Sequence, residues 1–193
     1  MPPKFKFTRN EIIDAALNLV RERGAAALTA RGLAERLGSS PKPIFNLFRG
    51  MDEVRGCVID AANSLYNSYI QADMTSGRYP PYKASGMAYI RFARDERELF
   101  RLLFMRDRSN ERVEENRDEI RPLLEIIEHS LGIDEDAAYL FHLEMWVYVH
   151  GIATMIATGY LEWDTDFVSH TLSDMYTGLK YNSEVKASRA APE

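Results

Sequence analysis

Cysteine is almost missing from this 193-residue chain: Cys57 is the sole one, so no internal disulfide can form. The expectation is a fold held by its core, in a reducing compartment such as the cytoplasm. Strand-like alternation is scarce. No apolar run reaches the ~20 residues that a membrane span needs. The most apolar stretch, Met145 to Leu161, is broken by His150 and Gly151 and preceded by Glu144, which reads as a buried helix. Residues 1–11 carry lysines but no apolar segment of the secretory kind. Catalytic signatures are missing as well. There is no H-E-x-x-H, G-x-S-x-G, G-x-G-x-x-G or Walker loop. None of His129, His142, His150 and His170 has a glutamate three residues before it, as a di-iron bundle requires. Cys57 has no histidine near it in sequence. These absences argue against an enzyme, against a resident metal or other cofactor, and against a membrane protein.

What is present is a soluble composition, 46% hydrophobic and 27% charged, with an uneven charge distribution. The net charge is −5. Residues 1–55 nevertheless hold ten Lys/Arg against six Asp/Glu, a net of +4, and the remainder holds 14 against 23, a net of −9. A basic head on an acidic body suggests that only the head meets phosphates.

Helical periodicity runs through nearly the whole chain, so the expected fold is all-α. Thr8 followed by Glu11 makes a capping box for a first helix, with Ile13, Ala16, Leu17 and Val20 inward and Gly24 at its end. Thr29 caps a short second helix with Leu33, Ala34 and Leu37 inward, closed by Gly38. A third starts near Pro41, with Ser40 as its cap, and buries Ile44, Phe45 and Phe48. A longer helix follows from about Met51. Ser76, Gly77, Pro80 and Pro81 mark a break within Met74–Tyr82. Further helices are expected near Tyr82–Asp95, Glu96–Phe104, Glu111–Leu131, Asp136–Thr158 and Asp166–Leu179, with a kink at Pro122. The domain reading is a helix-turn-helix over 8–50, a connecting helix over 51–73 and a C-terminal domain over 74–182. A weakly apolar tail, 183–193, is expected to be disordered.

The stretch from Thr29 to Phe48 has the parts of a helix-turn-helix. Two short helices crossing steeply need a small residue mid-way along the first, here Ala34, and a turn residue tolerant of positive φ, here Gly38. Ile44 and Leu47 supply the apolar face of the second helix, and the preceding helix supplies a third wall.

The run I-I-D-A-A-L-N-L-V-R-E-R-G-A-A-A-L-T-A-R-G-L-A-E-R-L-G and its continuation P-I-F-N-L-F-R-G-M-D-E-V closely resemble the N-terminal domain of the TetR family of repressors. The likeness covers about residues 8–70. The segments Y-I-R-F-A-R-D-E-R-E-L-F-R-L-L-F and W-V-Y-V-H-G-I-A resemble the C-terminal domain of one subgroup of that family. The resemblance implies a helix-turn-helix domain joined to a helical ligand-binding and dimerisation domain. It implies a homodimer, joined through the last two helices, that binds double-stranded DNA at a pseudo-palindromic operator and responds to a small-molecule effector.

By that resemblance the third helix enters the major groove. Thr29 and Arg31 begin the second helix, where free N–H groups favour phosphate. Ser39, Ser40, Lys42, Phe45, Asn46 and Arg49 lie on or beside the third, and Lys4, Lys6 and Arg9 read as a basic arm along the backbone. Lys42 suits guanine and Asn46 suits adenine or a phosphate. Phe45 stands where the family usually has tyrosine and Met51 where it usually has lysine, so two expected phosphate contacts are missing. The effector site implied for the body draws on Tyr89, Phe92, Phe104, Met105, His142 and Trp146, an apolar set with one polar handle. The function expected is a sequence-specific transcription regulator, a repressor released by a small apolar or amphipathic ligand. The alternative is a helical dimeric interaction protein whose DNA-binding head has degenerated.

Overall fold

The computed structural model describes residues 6–107 and 117–190. Among them regular structure is helical, with no strand. The helices are α1 (Arg9–Arg23), α2 (Ala30–Arg36), α3 (Lys42–Phe45), α4 (Met51–Thr75), α5 (Pro81–Asp95), α6 (Arg97–Phe104), α7 (Arg117–Leu131), α8 (Glu135–Ala157) and α9 (Thr165–Ala190), with a 3-10 turn at Ala25–Ala27. Packing divides the chain into two units. One holds the described part of Met1–Ser68 together with Asp95–Asp107, and the other holds Tyr69–Arg94 and the described part of Arg108–Glu193. By packing, α6 groups with the head. The helix of Thr165–Ala190 also runs past Ser183, where the sequence suggested that order ends. Residues 111–116 of the expected Glu111–Leu131 helix, and 191–193 of the expected tail, lie outside the described residues.

Local chemistry explains the head's elements. Thr8 Oγ1 accepts from the Glu11 N–H at 3.2 Å, and Glu11 Oε2 accepts from the Thr8 N–H at 2.7 Å, which completes the capping box. The carboxyl of Glu11 is held below its ordinary range by these bonds from Thr8. Gly24 ends α1 at φ +78°, where its N–H reaches Val20 O at 2.7 Å. The face that α1 buries is Ile12, Ala16, Leu19 and Val20. The expected stripe included Ile13 and Leu17, which are only half-buried. Apolar residues at 12, 13, 16, 17, 19 and 20 cover a broad arc, and the partners choose which edge goes inward. Helices α2 and α6 pack on α1, and Leu33, Ile44, Val54, Val58, Leu99, Phe100 and Leu103 of the same unit are all fully buried or nearly so. Each such side chain contributes about 1.5–3 kcal/mol by leaving water. Arg21 donates to Glu96 at 2.7 Å, joining α1 to the start of α6.

The second unit is a helical bundle. Its core centres on Ile90 and Phe92 of α5, Leu124 and Ile127 of α7, Ala153 and Ile156 of α8, and Val168 and Leu172 of α9. Pro122 lies inside α7 without splitting it. Asp134 caps α8 through Ala137 N–H at 2.9 Å. Arg117 and Arg121 of α7 pair with Asp136 and Glu135 at the start of α8. Two tyrosine–histidine bonds tie α5 to α8: Tyr82 to His142 at 3.1 Å and Tyr89 to His150 at 2.8 Å. Helix α8 is long and apolar enough to cross a membrane by length and composition alone. Here it buries one face, from Ala138 to Ala157, inside the bundle.

Candidate nucleic-acid interface

The turn that sets α2 against α3 is built from Gly38, at φ +57°, and Ser39, whose N–H reaches Ala34 O at 2.9 Å. The positive φ anticipated at Gly38 is therefore present. Thr29 caps α2, accepting from the Gly32 N–H at 3.0 Å. Its hydroxyl is thus occupied within the fold, and only its remaining lone pair and proton face outward. Helix α3 is one turn long. Pro41, not Ser40, occupies the capping position, and it offers no side-chain bond. Ser40 is exposed. Ile44 and Phe48 are buried as expected, whereas Phe45 is 47% exposed. About half of this aromatic side chain is therefore open to solvent on α3.

The junction of α3 with α4 is fixed by Arg9. Its guanidinium donates to Leu47 O at 2.8 Å and to Glu53 at 2.6 Å, and lies 4.2 Å from the Phe48 ring centre. Glu53 also accepts from the Arg49 N–H at 2.7 Å, and that bond first, with Arg9 second, holds its carboxyl below the usual range. Arg9 thus positions the third helix. This corrects the expectation of a free arm: Arg9 is committed to the fold, Lys6 reaches Gly38 O at 3.4 Å, and Lys4 lies outside the described residues.

The remaining cations of the head sort into two groups. Arg21 pairs with Glu96, Arg36 with Glu22 through two bonds of 2.7 and 2.8 Å, and Arg55 with Asp52 at 2.6 Å. Arg31, Lys42 and Arg49 are exposed and make no salt bridge among the described residues, as is also true of Arg23 at the end of α1. Arg31 is at the start of α2, Lys42 begins α3 and Arg49 follows it, all positions expected from the sequence to contact DNA. Asn46 is exposed at the end of α3, and Ser39 is half-buried in the turn. Neutralised arginines add little attraction for a polyanion, while unpaired ones retain their full field.

The six residues suggested for an effector fall in both packing units. Phe104 belongs to the head unit, with Tyr66 and Phe100 rings 5.3 and 5.1 Å away, and Met105 follows it. Tyr89, Phe92, His142 and Trp146 are in the second unit. Phe92 is buried against Tyr69. Trp146 is 42% exposed and stacked on His150 at 4.9 Å. His142 bonds Tyr82, and burial pushes its pKa below the usual histidine value. A separate cleft in that unit is lined by none of the six. Among the described residues no group of three or more His, Cys, Asp or Glu could hold a metal.

A capped three-helix head with a one-turn third helix, flanked by unpaired cations, defines a helix-turn-helix nucleic-acid-binding protein with a helical companion bundle. Comparison narrows the class. The pattern for "Bacterial regulatory proteins, tetR family" matches residues 12–55, and that for "Tetracyclin repressor-like, C-terminal domain" matches residues 82–176. The chain belongs to the TetR family, whose members are transcription regulators and not enzymes. Among solved structures, a TetR-like transcriptional regulator from Rhodococcus sp. RHA1 is similar at TM-score 0.63 and 15% identity, covering 93% of this chain and 99% of that one. A member of the TetR family from Streptomyces coelicolor A3 gives TM-score 0.55 at 18% identity over 86% of this chain and 96% of its own. The multidrug binding protein EbrR, complexed with imidazole, gives 0.54 at 17% identity over 86% and 88%. Among curated proteins no sequence matches this chain.

Proposed function

We propose that this protein is a homodimeric, sequence-selective repressor of transcription, acting in the cytoplasm and released from a pseudo-palindromic operator by a small-molecule effector. The observation that carries the reading is the sorting of the head's cations. Arg31, Lys42 and Arg49 are exposed and outside any salt bridge around α3, with Arg23 the further such arginine at the end of α1, while Arg9, Arg21, Arg36 and Arg55 are spent on internal ion pairs. Lys42 and Asn46 meet base edges, Arg31, Arg49 and the α2 start meet phosphates, and Phe45 makes apolar contact with a sugar or thymine methyl. Family members bind DNA as dimers and bind small-molecule effectors. The face of α8 and α9 carrying Leu140, Val147, Phe167 and Tyr181 is apolar and 47–65% exposed, which suits a second copy.

The test is selection of duplex DNA from a random pool by the purified dimer at moderate salt. Enrichment of a pseudo-palindrome with half-sites ~34 Å apart, or a multiple of that, is expected. A folded dimer that enriches nothing would overturn the reading in favour of an interaction protein with a degenerate head, to which Phe45 and the one-turn α3 would then be the clue.

A further inference from the structure

The second unit contains a cleft of about 100 Å³ whose walls are cationic and whose floor is apolar. The turn after α4 forms its rim. Ser76 Oγ donates to Asp73 O at 2.8 Å and accepts from the Arg78 N–H at 3.2 Å, with Gly77 at φ +70° between them. That turn presents Arg78 at the mouth, 5.3 Å from the Tyr79 ring centre, and no carboxylate pairs with its guanidinium among the described residues. Arg91 and Arg94 enter from α5, one turn apart. Arg94 is held by Trp163 O at 2.8 Å and Thr165 Oγ1 at 3.2 Å. Arg91 lies over the Tyr69 ring and takes both oxygens of Asp73, at 2.9 and 3.2 Å. Outside the cleft, Lys83 lies 5.2 Å from the Tyr79 ring centre and donates to Ser173 at 2.8 Å. The floor is Met87, Ile90 and Val168, all at most 7% exposed.

We infer that this cleft binds a small organic carboxylate. Three guanidiniums line it against the single carboxylate of Asp73, in a part of the chain that is acidic overall. Arginine presents paired donors that match a carboxylate, so the walls favour an anion and reject a cation. The floor selects the rest of the ligand. Met87, Ile90 and Val168 offer no hydrogen bonds, and of the lining hydroxyls Ser76 is engaged in its own turn and Thr165 with Arg94, so a hydroxyl-rich sugar phosphate would leave polar groups unsatisfied. A carboxylate on a compact apolar body satisfies both surfaces. Asp73 already mimics that carboxylate in its bond to Arg91, and an entering anion competes with it. Asp73 lies in the last turn of α4, the helix that begins beside α3, so this competition gives the ligand a physical hold on α4. That regulatory half rests on the effector reading above; binding itself does not.

The test is calorimetric titration of the full-length protein with sodium benzoate at constant ionic strength, alongside benzyl alcohol, benzylammonium and inorganic phosphate. Benzoate is expected to bind at least about tenfold more tightly than each of the other three, as loss of one charge-assisted contact implies. Arg78→Ala is expected to weaken benzoate about tenfold, and Asp73→Asn, which removes the competitor, to tighten it. A folding defect would not move the two variants in opposite directions. No binding at millimolar benzoate, equal binding of benzyl alcohol or phosphate, or weakening by Asp73→Asn would each overturn the inference. Benzoate that binds but leaves affinity for the selected operator unchanged would overturn the regulatory half and leave the site standing.

Discussion

At the scale of single residues, charge matters only where it is not already spent. Lys42 and Arg36 are both cations of the helix-turn-helix, yet Arg36 is neutralised by two bonds to Glu22 and Lys42 is exposed without an acidic partner among the described residues. Replacing Lys42 with Ala should weaken DNA binding and lower the slope of log affinity against log salt by about one. Replacing Arg36 should leave that slope unchanged and affect stability instead. Titrations at several salt concentrations separate the two, and an unchanged slope for K42A would remove its phosphate or base contact. Histidines give a second residue-scale effect. Burial lowers the pKa of His142 and His150 below the ordinary 6.5. The unfolded chain therefore binds more protons than the folded one on the acid side of that value. Stability should be full above about pH 6.5 and should fall as pH drops through the folded pKa values. His142→Asn places an amide near the Nδ1 position that bonds Tyr82 but cannot titrate, so it should flatten part of that decline. A Tm series from about pH 8 to about pH 5, the span across which an ordinary histidine titrates, checks it.

At the scale of elements, close approach decides more than propensity. Gly32 sits inside α2, where alanine would normally be the better helix former. A Cβ there would stand 2.6 Å from Ala27 O in the preceding 3-10 turn and 3.3 Å from the capping Thr29 Oγ1. Gly32→Ala should therefore destabilise the head by about 1–3 kcal/mol, visible in urea unfolding, despite its favourable propensity. An equal or higher midpoint would mean that the turn yields freely. Gly32 was in plain view in the sequence but unreadable, because its constraint comes from the 3-10 turn, for which Ala25–Ala27 gives no pattern. The capping box of Thr8 and Glu11 and the turn at Gly38 were legible because each is closed within a few residues. The cap of α3 was misassigned to Ser40 because Pro41 takes that position without a side-chain bond. Long-range pairing was the least legible. Nothing local says that Arg21 meets Glu96 and packs α6 against α1. The cleft around Arg78, Arg91 and Arg94 left one faint trace, two arginines one turn apart on α5.

At the scale of the whole molecule, the argument turns on the number of heads. One head with a one-turn α3 and three exposed cations beside it outside any salt bridge offers few contacts, and specificity from a single half-site is correspondingly small. Two heads held together change the arithmetic, because the second binds at an effective concentration near millimolar and raises affinity about 10²- to 10⁴-fold. The proposed joining face lies on α8 and α9. Val147 is 64% exposed and Tyr181 65%, and Gly151 and Gly178 have open space where a Cβ would stand, which permits close helix approach. Val147→Glu places a charge on that face without touching the core of the single chain, so its own stability should change by about 0.5 kcal/mol or less. Sedimentation should show a monomer in place of a dimer. Affinity for the full operator should fall by the avidity factor, while affinity for an isolated half-site stays the same. A variant that remains dimeric would move the interface elsewhere. A monomer that keeps full operator affinity would mean that one head suffices, and the palindrome would lose its physical reason.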